Sequence, residues 1–258
     1  MYLDLSGKWA LVGGSSKGIG LAVAQELSRL GASVILTGRD ETALMAAKAT
    51  LAGPNETVVV DFQSNSSIDK LLAGITEKGR TINILVNNAG GPPSGSFMES
   101  RADAMIQALN THLFAMDQMS RALAPGMRSS GYGRIVNIVS VTARVPLKNM
   151  ILSNTVRGAV LNWSKTVSLE LAPYGITVNN ILPGYTRTQR AIDLWQSLSK
   201  NQGCSPEDIE KNWKSQVPMG RLAEPEEIAN VVAFLCSPAA SFVTGISMPV
   251  DGGWTPSV

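Results

Sequence analysis

Histidine occurs once in this 258-residue sequence and cysteine only twice. Cys204 and Cys236 stand at no metal-ligand spacing, so no metal site is expected. Cys236 falls in an apolar helical run, where a buried inert thiol is expected; a structural disulfide is not, which suits a reducing compartment. Charge of neither sign dominates: the net charge is +2 and no block of like charges occurs, so nucleic acid and anionic membranes are not expected partners. No apolar stretch approaches the roughly 18 residues that a bilayer-spanning helix needs. The opening residues, Met1 to Lys8, lack the charged-then-apolar layout of a signal peptide, and a cytoplasmic protein is expected. Linkers, low-complexity tracts and repeats are also missing, which leaves one domain spanning 1–258 as the simplest organisation.

What is present is alternation. Apolar residues make up 44% and charged residues 16%, a globular composition. Short β-branched runs at 8–13, 32–37, 57–61, 82–87, 134–139, 177–182 and 247–250 read as strands. Between them, 19–30, 41–51, 66–78, 102–129, 152–172 and 225–236 carry helical periodicity. Strands apolar throughout and joined by helices predict an α/β fold, a Rossmann-type doubly wound parallel sheet of about seven strands with helices on both faces. One insertion, 189–219, breaks the rhythm with two amphipathic pieces, 191–200 and 206–216, separated by Asn201-Gln202-Gly203. It reads as a mobile lid or as a static two-helix excursion; the lid is preferred because long connections in such folds are more often functional.

The first strand runs into Gly14-Ser15-Ser16-Lys17-Gly18-Ile19-Gly20, where a helix begins. Glycines there permit a tight turn and let backbone N–H groups approach a pyrophosphate at a positively polarised helix end. The second strand ends in Thr37-Gly38-Arg39-Asp40. A carboxylate at that strand end selects NAD by accepting hydrogen bonds from the ribose. Gly38 leaves the spot empty, while Arg39 and Lys17 can meet a 2′-phosphate. The expected cofactor is therefore NADP(H) rather than NAD(H), with Asp40, one place late, the dissenting residue. Asp61 and Phe62 end the third strand and suit an adenine edge; Asn87, Asn88, Ala89 and Gly90 end the fourth and can pack beside the adenosine ribose.

These motifs, with Arg134 to Ser140, Thr177 to Gly184, Gly220 to Ile228 and Val250 to Gly253, resemble the short-chain dehydrogenase/reductase family over essentially the whole length. The pattern is most like that of bacterial 3-oxoacyl-[acyl-carrier-protein] reductases, apart from Gly13 where threonine is usual. The resemblance implies a seven-stranded sheet, a homotetramer or homodimer built across two long helices, and contacts from Pro183, Gly184 and Thr188 to the nicotinamide end of the cofactor. It also implies an asparagine, serine, tyrosine and lysine that together move the proton of a carbonyl/alcohol conversion.

Only one of those four is in place. Ser140 matches the serine, but the tyrosine position holds Ser153, the lysine position Arg157 and the asparagine position His112. A serine hydroxyl has no ionisation near neutral pH and falls short of a phenol's reach by roughly a ring length. Arginine stays charged and passes no proton, although its fork can bind ribose hydroxyls or an anion. Three replacements are open. His112 is one, with an ordinary pKa near 6.5 suited to acid–base work. Tyr185, following Pro183-Gly184, is another. The third and preferred route has Arg157 stabilise an alkoxide while Ser140 and Ser153 donate hydrogen bonds and water supplies the proton. The Gly91-Pro92-Pro93-Ser94-Gly95 run reads as a pocket wall or a structural turn. The leading functional reading is an NADP(H)-dependent oxidoreductase acting on a small carbonyl or alcohol, with Arg157 also able to select an anionic substrate. A catalytically silent NADP(H)-binding sensor or scaffold subunit is the alternative, and a non-redox lyase a weaker third.

Overall fold

The seven apolar runs become seven strands in a computed structural model that describes residues 2–256. They are β1 (Trp9–Val12), β2 (Ser33–Gly38), β3 (Asn55–Val59), β4 (Ile84–Asn87), β5 (Gly133–Ile138), β6 (Ile176–Pro183) and β7 (Ser247–Val250). Every neighbouring pair is parallel, in the order β3-β2-β1-β4-β5-β6-β7. The helices are α1 (Gly18–Arg29), α2 (Glu41–Lys48), α3 (Asn65–Glu77), α4 (Ala102–Leu109), α5 (Ala115–Ser129), α6 (Ile151–Leu171), α7 (Gln189–Gln202), α8 (Pro206–Gln216) and α9 (Pro225–Cys236). Among the described residues no helix is long and apolar enough to cross a membrane.

Period-two alternation splits the strand side chains between two cores. Ala10, Val12, Val34, Leu36, Ile84 and Val86 join Val23 and Leu27 of α1, Leu44 of α2 and Ile228 and Val232 of α9 on one face. Leu11, Ile35 and Leu85 join Ile68 and Leu71 of α3 and Met119 and Leu123 of α5 on the other. Each fully buried leucine or isoleucine contributes about 2 kcal/mol, which is why strands covered on both faces read as unbroken apolar runs.

The strand order reverses between β1 and β4, so the loops after their C-terminal ends diverge and leave a crevice. Beside it, a chain of amides crosses the sheet in register. Asn87 Nδ2 donates to Asn137 Oδ1 at 2.8 Å, and Asn137 Nδ2 to Asn180 Oδ1 at 2.9 Å. Asn180 Nδ2 donates in turn to Ser164 Oγ of α6 at 2.6 Å and to Ser247 Oγ of β7 at 3.0 Å. These asparagines are fully or almost fully buried, so the pairing satisfies groups that would otherwise be costly, leaving only Asn87 Oδ1 among their amide oxygens and nitrogens without a partner.

Three of the differences from the sequence expectation have a local reason. The long helix at 102–129 is interrupted by a π-helical turn, Asn110–Phe114, that carries His112. Strand β3 stops at Val59, which leaves Asp61 and Phe62 in the connection to α3; there Asp61 Oδ1 accepts from the Gln63 N–H at 3.0 Å. Helix α7 continues through Asn201 and Gln202, and only Gly203, at φ +66°, ends it in the left-handed conformation that favours glycine.

Candidate active site and cofactor cleft

The turn after β1 is shaped by contacts that exclude side chains. A Cβ on Gly20 would lie 2.3 Å from Gly14 O and 2.7 Å from Asn88 Nδ2. One on Gly13 would lie 2.6 Å from Asn88 O, so the glycine that replaces the family's usual threonine lets the β4 loop close in. Gly14 and Gly18 have φ of +54° and +59°. Asn88 Nδ2 clasps the turn by donating to Gly13 O at 3.0 Å and Gly14 O at 3.3 Å. Ser16, Lys17 and Ile19 complete a turn whose helix α1 starts at Gly18, presenting unpaired N–H groups where an anion fits. Thr188 closes the opposite side: its Cγ2 lies 3.4 Å from a Cβ placed on Gly18, and its hydroxyl caps α7 by accepting from the Ala191 N–H at 3.2 Å. Gly184 packs so tightly that a Cβ would meet Asp251 Cβ at 2.7 Å, which holds Pro183-Gly184 at the mouth of the cleft. Ala89 is partly buried and Gly90 is exposed beside the turn.

At the adenosine end, Arg39 and Lys17 are exposed. Asp40, the residue that argued for NAD, is the N-cap of α2 and accepts from the Ala43 N–H at 3.0 Å. Its carboxylate is committed to the helix. A Cβ on Gly38 would find only ordinary contacts, at 3.4 Å to Leu44 Cδ2 and 3.5 Å to Ser16 Oγ, so the place where an NAD-selecting carboxylate stands is open. The residues fit a dinucleotide with a 2′-phosphate.

The reacting end is assembled by α6, the loop after β5 and the π-turn. Ser140 lies two residues past β5 and caps the 3-10 turn Val141–Ala143, its Oγ accepting from the Thr142 N–H at 3.2 Å. Ser153 is buried in the first turn of α6, with Arg157 one turn later on the same face. His112 is 5% exposed; its ring faces the Gly90 backbone, while its Nε2 is buried without a partner. Burial, then the nearby Arg157 and Arg190, push its pKa down to about 4. The near-neutral histidine expected from sequence is thus corrected: this imidazole is uncharged at pH 7 and a poor proton source there. Burial first, and then Arg190, lower Arg157 to about 10, which leaves it charged.

Arg190, on the first turn of α7, is the residue that sequence reading passed over. It donates from Nη2 to Gly91 O at 2.8 Å and Pro92 O at 3.4 Å, so the rigid glycine–proline run forms a wall grasped by the insertion. Both Arg190 Nη2 (3.1 Å) and Arg157 Nη2 (3.0 Å) approach the point where a Gly91 Cβ would sit. The two guanidinium nitrogens are therefore at most about 6 Å apart, and at an effective dielectric near 20 two charges at that distance repel by about 3 kcal/mol. Among the described residues none of Lys17, Arg39, Arg157 and Arg190 makes an ion pair.

Tyr185 serves the insertion. Its ring stacks on Trp213 of α8 at 4.5 Å between centroids and meets Trp254 edge-on at 6.0 Å; its hydroxyl hydrogen-bonds Gln216 at 3.2 Å. Burial raises its pKa, making the phenol a weaker acid than usual. With Ala191, Trp195, Ile209 and Leu222 it belongs to a small apolar core that α7 and α8 possess apart from the main sheet.

The family model described as enoyl-(acyl carrier protein) reductase matches residues 14–255. The chain is 33% identical over 251 residues to the 3-oxoacyl-[acyl-carrier-protein] reductase of Vibrio cholerae, covering 97% of this chain and 98% of that protein. It is 35% identical to the enzyme of the same name from Haemophilus influenzae, covering 96% and 98%. Among solved structures, L-sorbose reductase from Gluconobacter frateurii, complexed with NADPH and L-sorbose, superposes with a TM-score of 0.95 at 32% identity over the whole of both chains. Glycine cradle, seven-stranded parallel sheet and full-length similarity agree, and the chain belongs to the short-chain dehydrogenase/reductase family, most like its 3-oxoacyl-[acyl-carrier-protein] reductases.

Proposed function

We propose that the protein is an NADP(H)-dependent oxidoreductase of a carbonyl or alcohol substrate in which water, not a side chain, exchanges the proton. The observation that carries this reading is the pairing of a glycine cradle at the strand-order reversal with an α6 face bearing Ser153 and Arg157. NADP(H), when bound, supplies or accepts the hydride. Gly14, Gly18 and Gly20 would hold its pyrophosphate end, with Asn88, Ala89 and Gly90 beside the adenosine ribose; Arg39 and Lys17 would meet its 2′-phosphate and Pro183, Gly184 and Thr188 its nicotinamide end, while Asp61 and Phe62 would border the adenine. The Arg157 fork could also bind the nicotinamide ribose hydroxyls.

On the substrate, Ser140 and Ser153 donate hydrogen bonds to the carbonyl oxygen and the Arg157 guanidinium stabilises the negative charge that grows there. That oxygen then takes its proton from water, because His112 is neutral and Tyr185 is tied to Gln216. The insertion at 189–219 acts as a lid, with an apolar core of its own and a latch through Arg190 to the Gly91 wall. Exposed Ile106 and Phe114 on the α4–α5 side and Leu169 on α6 support a homodimer or homotetramer across those helices.

The test is NADPH oxidation across a panel of ketones, quinones and 3-oxoacyl thioesters by the wild type and by the double variant Ser153→Tyr, Arg157→Lys. Turnover by the wild type, with the pH dependence flat between pH 6 and 8, agrees with water as proton source. Tight NADPH binding with no turnover by either protein favours instead a silent NADP(H)-binding sensor or scaffold, a reading supported by the absence of a near-neutral acid among His112, Arg157 and Tyr185.

A further inference from the structure

Two arginines face one point in the cleft, and nothing described in the chain neutralises them. Arg157 projects from the sheet-packed helix α6 and Arg190 from the first turn of the insertion, and an Nη2 of each lies about 3 Å from the point where a Gly91 Cβ would sit. Arg190 spends Nη2 on carbonyls, which anchors the side chain without cancelling its charge. Arg157 keeps a buried Nε–H with no partner. A buried donor without an acceptor, next to a like charge, is costly unless an anion joins it. The family position of Arg157 normally holds a lysine, which is a point charge; a guanidinium presents a planar fork that matches a carboxylate.

The geometry points to a substrate carboxylate, bound between Arg157 and Arg190, as the anchor of this active site. The inference rests on the oxidoreductase reading and names its substrate class: carbonyl or hydroxy compounds that carry a carboxylate. Because Arg190 belongs to the insertion and Arg157 to α6, the bound anion would tie lid to body at the moment the cleft is filled. Neutral analogues would leave the two charges facing each other.

Two keto acids, benzoylformate and levulinate, and their methyl esters serve as probes, titrated calorimetrically into the protein with and without saturating NADPH. At least one acid is expected to bind ten times or more tightly than its ester. Arg190→Gln is expected to remove that preference, Arg190→Lys to keep part of it, and both to bind NADPH as the wild type does. A melting temperature unchanged within a few degrees shows that the variants are folded. Equal binding of acids and esters by the wild type, or no binding of either acid, overturns the inference. So does a tenfold loss of NADPH affinity in Arg190→Gln without loss of acid preference, which would assign Arg190 to the cofactor's pyrophosphate. Preference for the acid in a protein that fails to bind NADPH would sink the cofactor reading and leave the anion clamp standing.

Discussion

Because the chain has a single histidine, His112 can be followed without ambiguity. In the unfolded chain it titrates near 6.5, whereas in the folded protein burial and the two arginines hold it at about 4. The folded pKa is the lower one, so the unfolded state takes up the proton first as pH falls. The stability contributed by the neutral ring is complete above about pH 6.5, shrinks below it and is gone once pH passes the folded pKa. Linkage gives a loss of about 2 kcal/mol by pH 5 and about 3 kcal/mol by pH 4. His112→Asn removes the titration and keeps a polar side chain in the π-turn. Urea unfolding of both proteins at intervals from pH 7 to pH 4 should show the wild type losing that much more than the variant. Glu56 and Glu227, both lowered to about 2 by their arginine partners, lose their own contributions below pH 4.5 in both proteins and cancel in the difference. Imidazole NMR gives the second readout, with a midpoint near 4. Parallel stability curves, or a midpoint near 6.5, would refute the account of a buried, cation-flanked ring.

Gly20→Ala should abolish NADPH binding and lower stability by about 2 kcal/mol or more, read by calorimetry and chemical unfolding, because its Cβ would collide with the Gly14 carbonyl and the Asn88 amide. Arg39→Gln should weaken NADPH at least tenfold while leaving NADH within about twofold; equal losses for both would remove Arg39 from the 2′-phosphate. Asn137→Ala should destabilise by about 3 to 5 kcal/mol in urea, since it strands the donor of Asn87 and the acceptor of Asn180 together. A loss under about 1 kcal/mol would mean that water repairs the gap.

The sheet was readable from the chain because a strand buried on both faces needs an apolar residue at nearly every place, and only the crossover helices interrupt it. The glycine turn was readable for a related reason: a backbone that closes on itself and on Asn88 tolerates no Cβ at Gly20. Asp40 was not, since a carboxylate after β2 looks the same whether it meets a ribose or caps a helix. The π-turn at Asn110–Phe114 leaves no compositional mark, because one extra residue per turn preserves the helical periodicity on either side. Arg190 was hidden for a different reason. Its partners Gly91 and Pro92 lie about a hundred residues away, and a lone arginine on an amphipathic helix resembles any solvated charge. For His112 the resemblance already set Arg157 close by, but the burial and the second cation, Arg190, that also lower its pKa are brought by folding.

The relay of side-chain amides that begins at Asn87 and finishes on Ser164 has a mechanical meaning for the cleft. Ser164 sits two helical turns beyond Arg157 on α6, so the same helix that presents Ser153 and Arg157 is pinned against sliding or rolling across the strands. A shift of one turn, about 5.4 Å, would strand the last amide in a dry interior. The anvil of the site is thereby immobilised, while the α7–α8 pair on the other side packs on a small apolar core of its own.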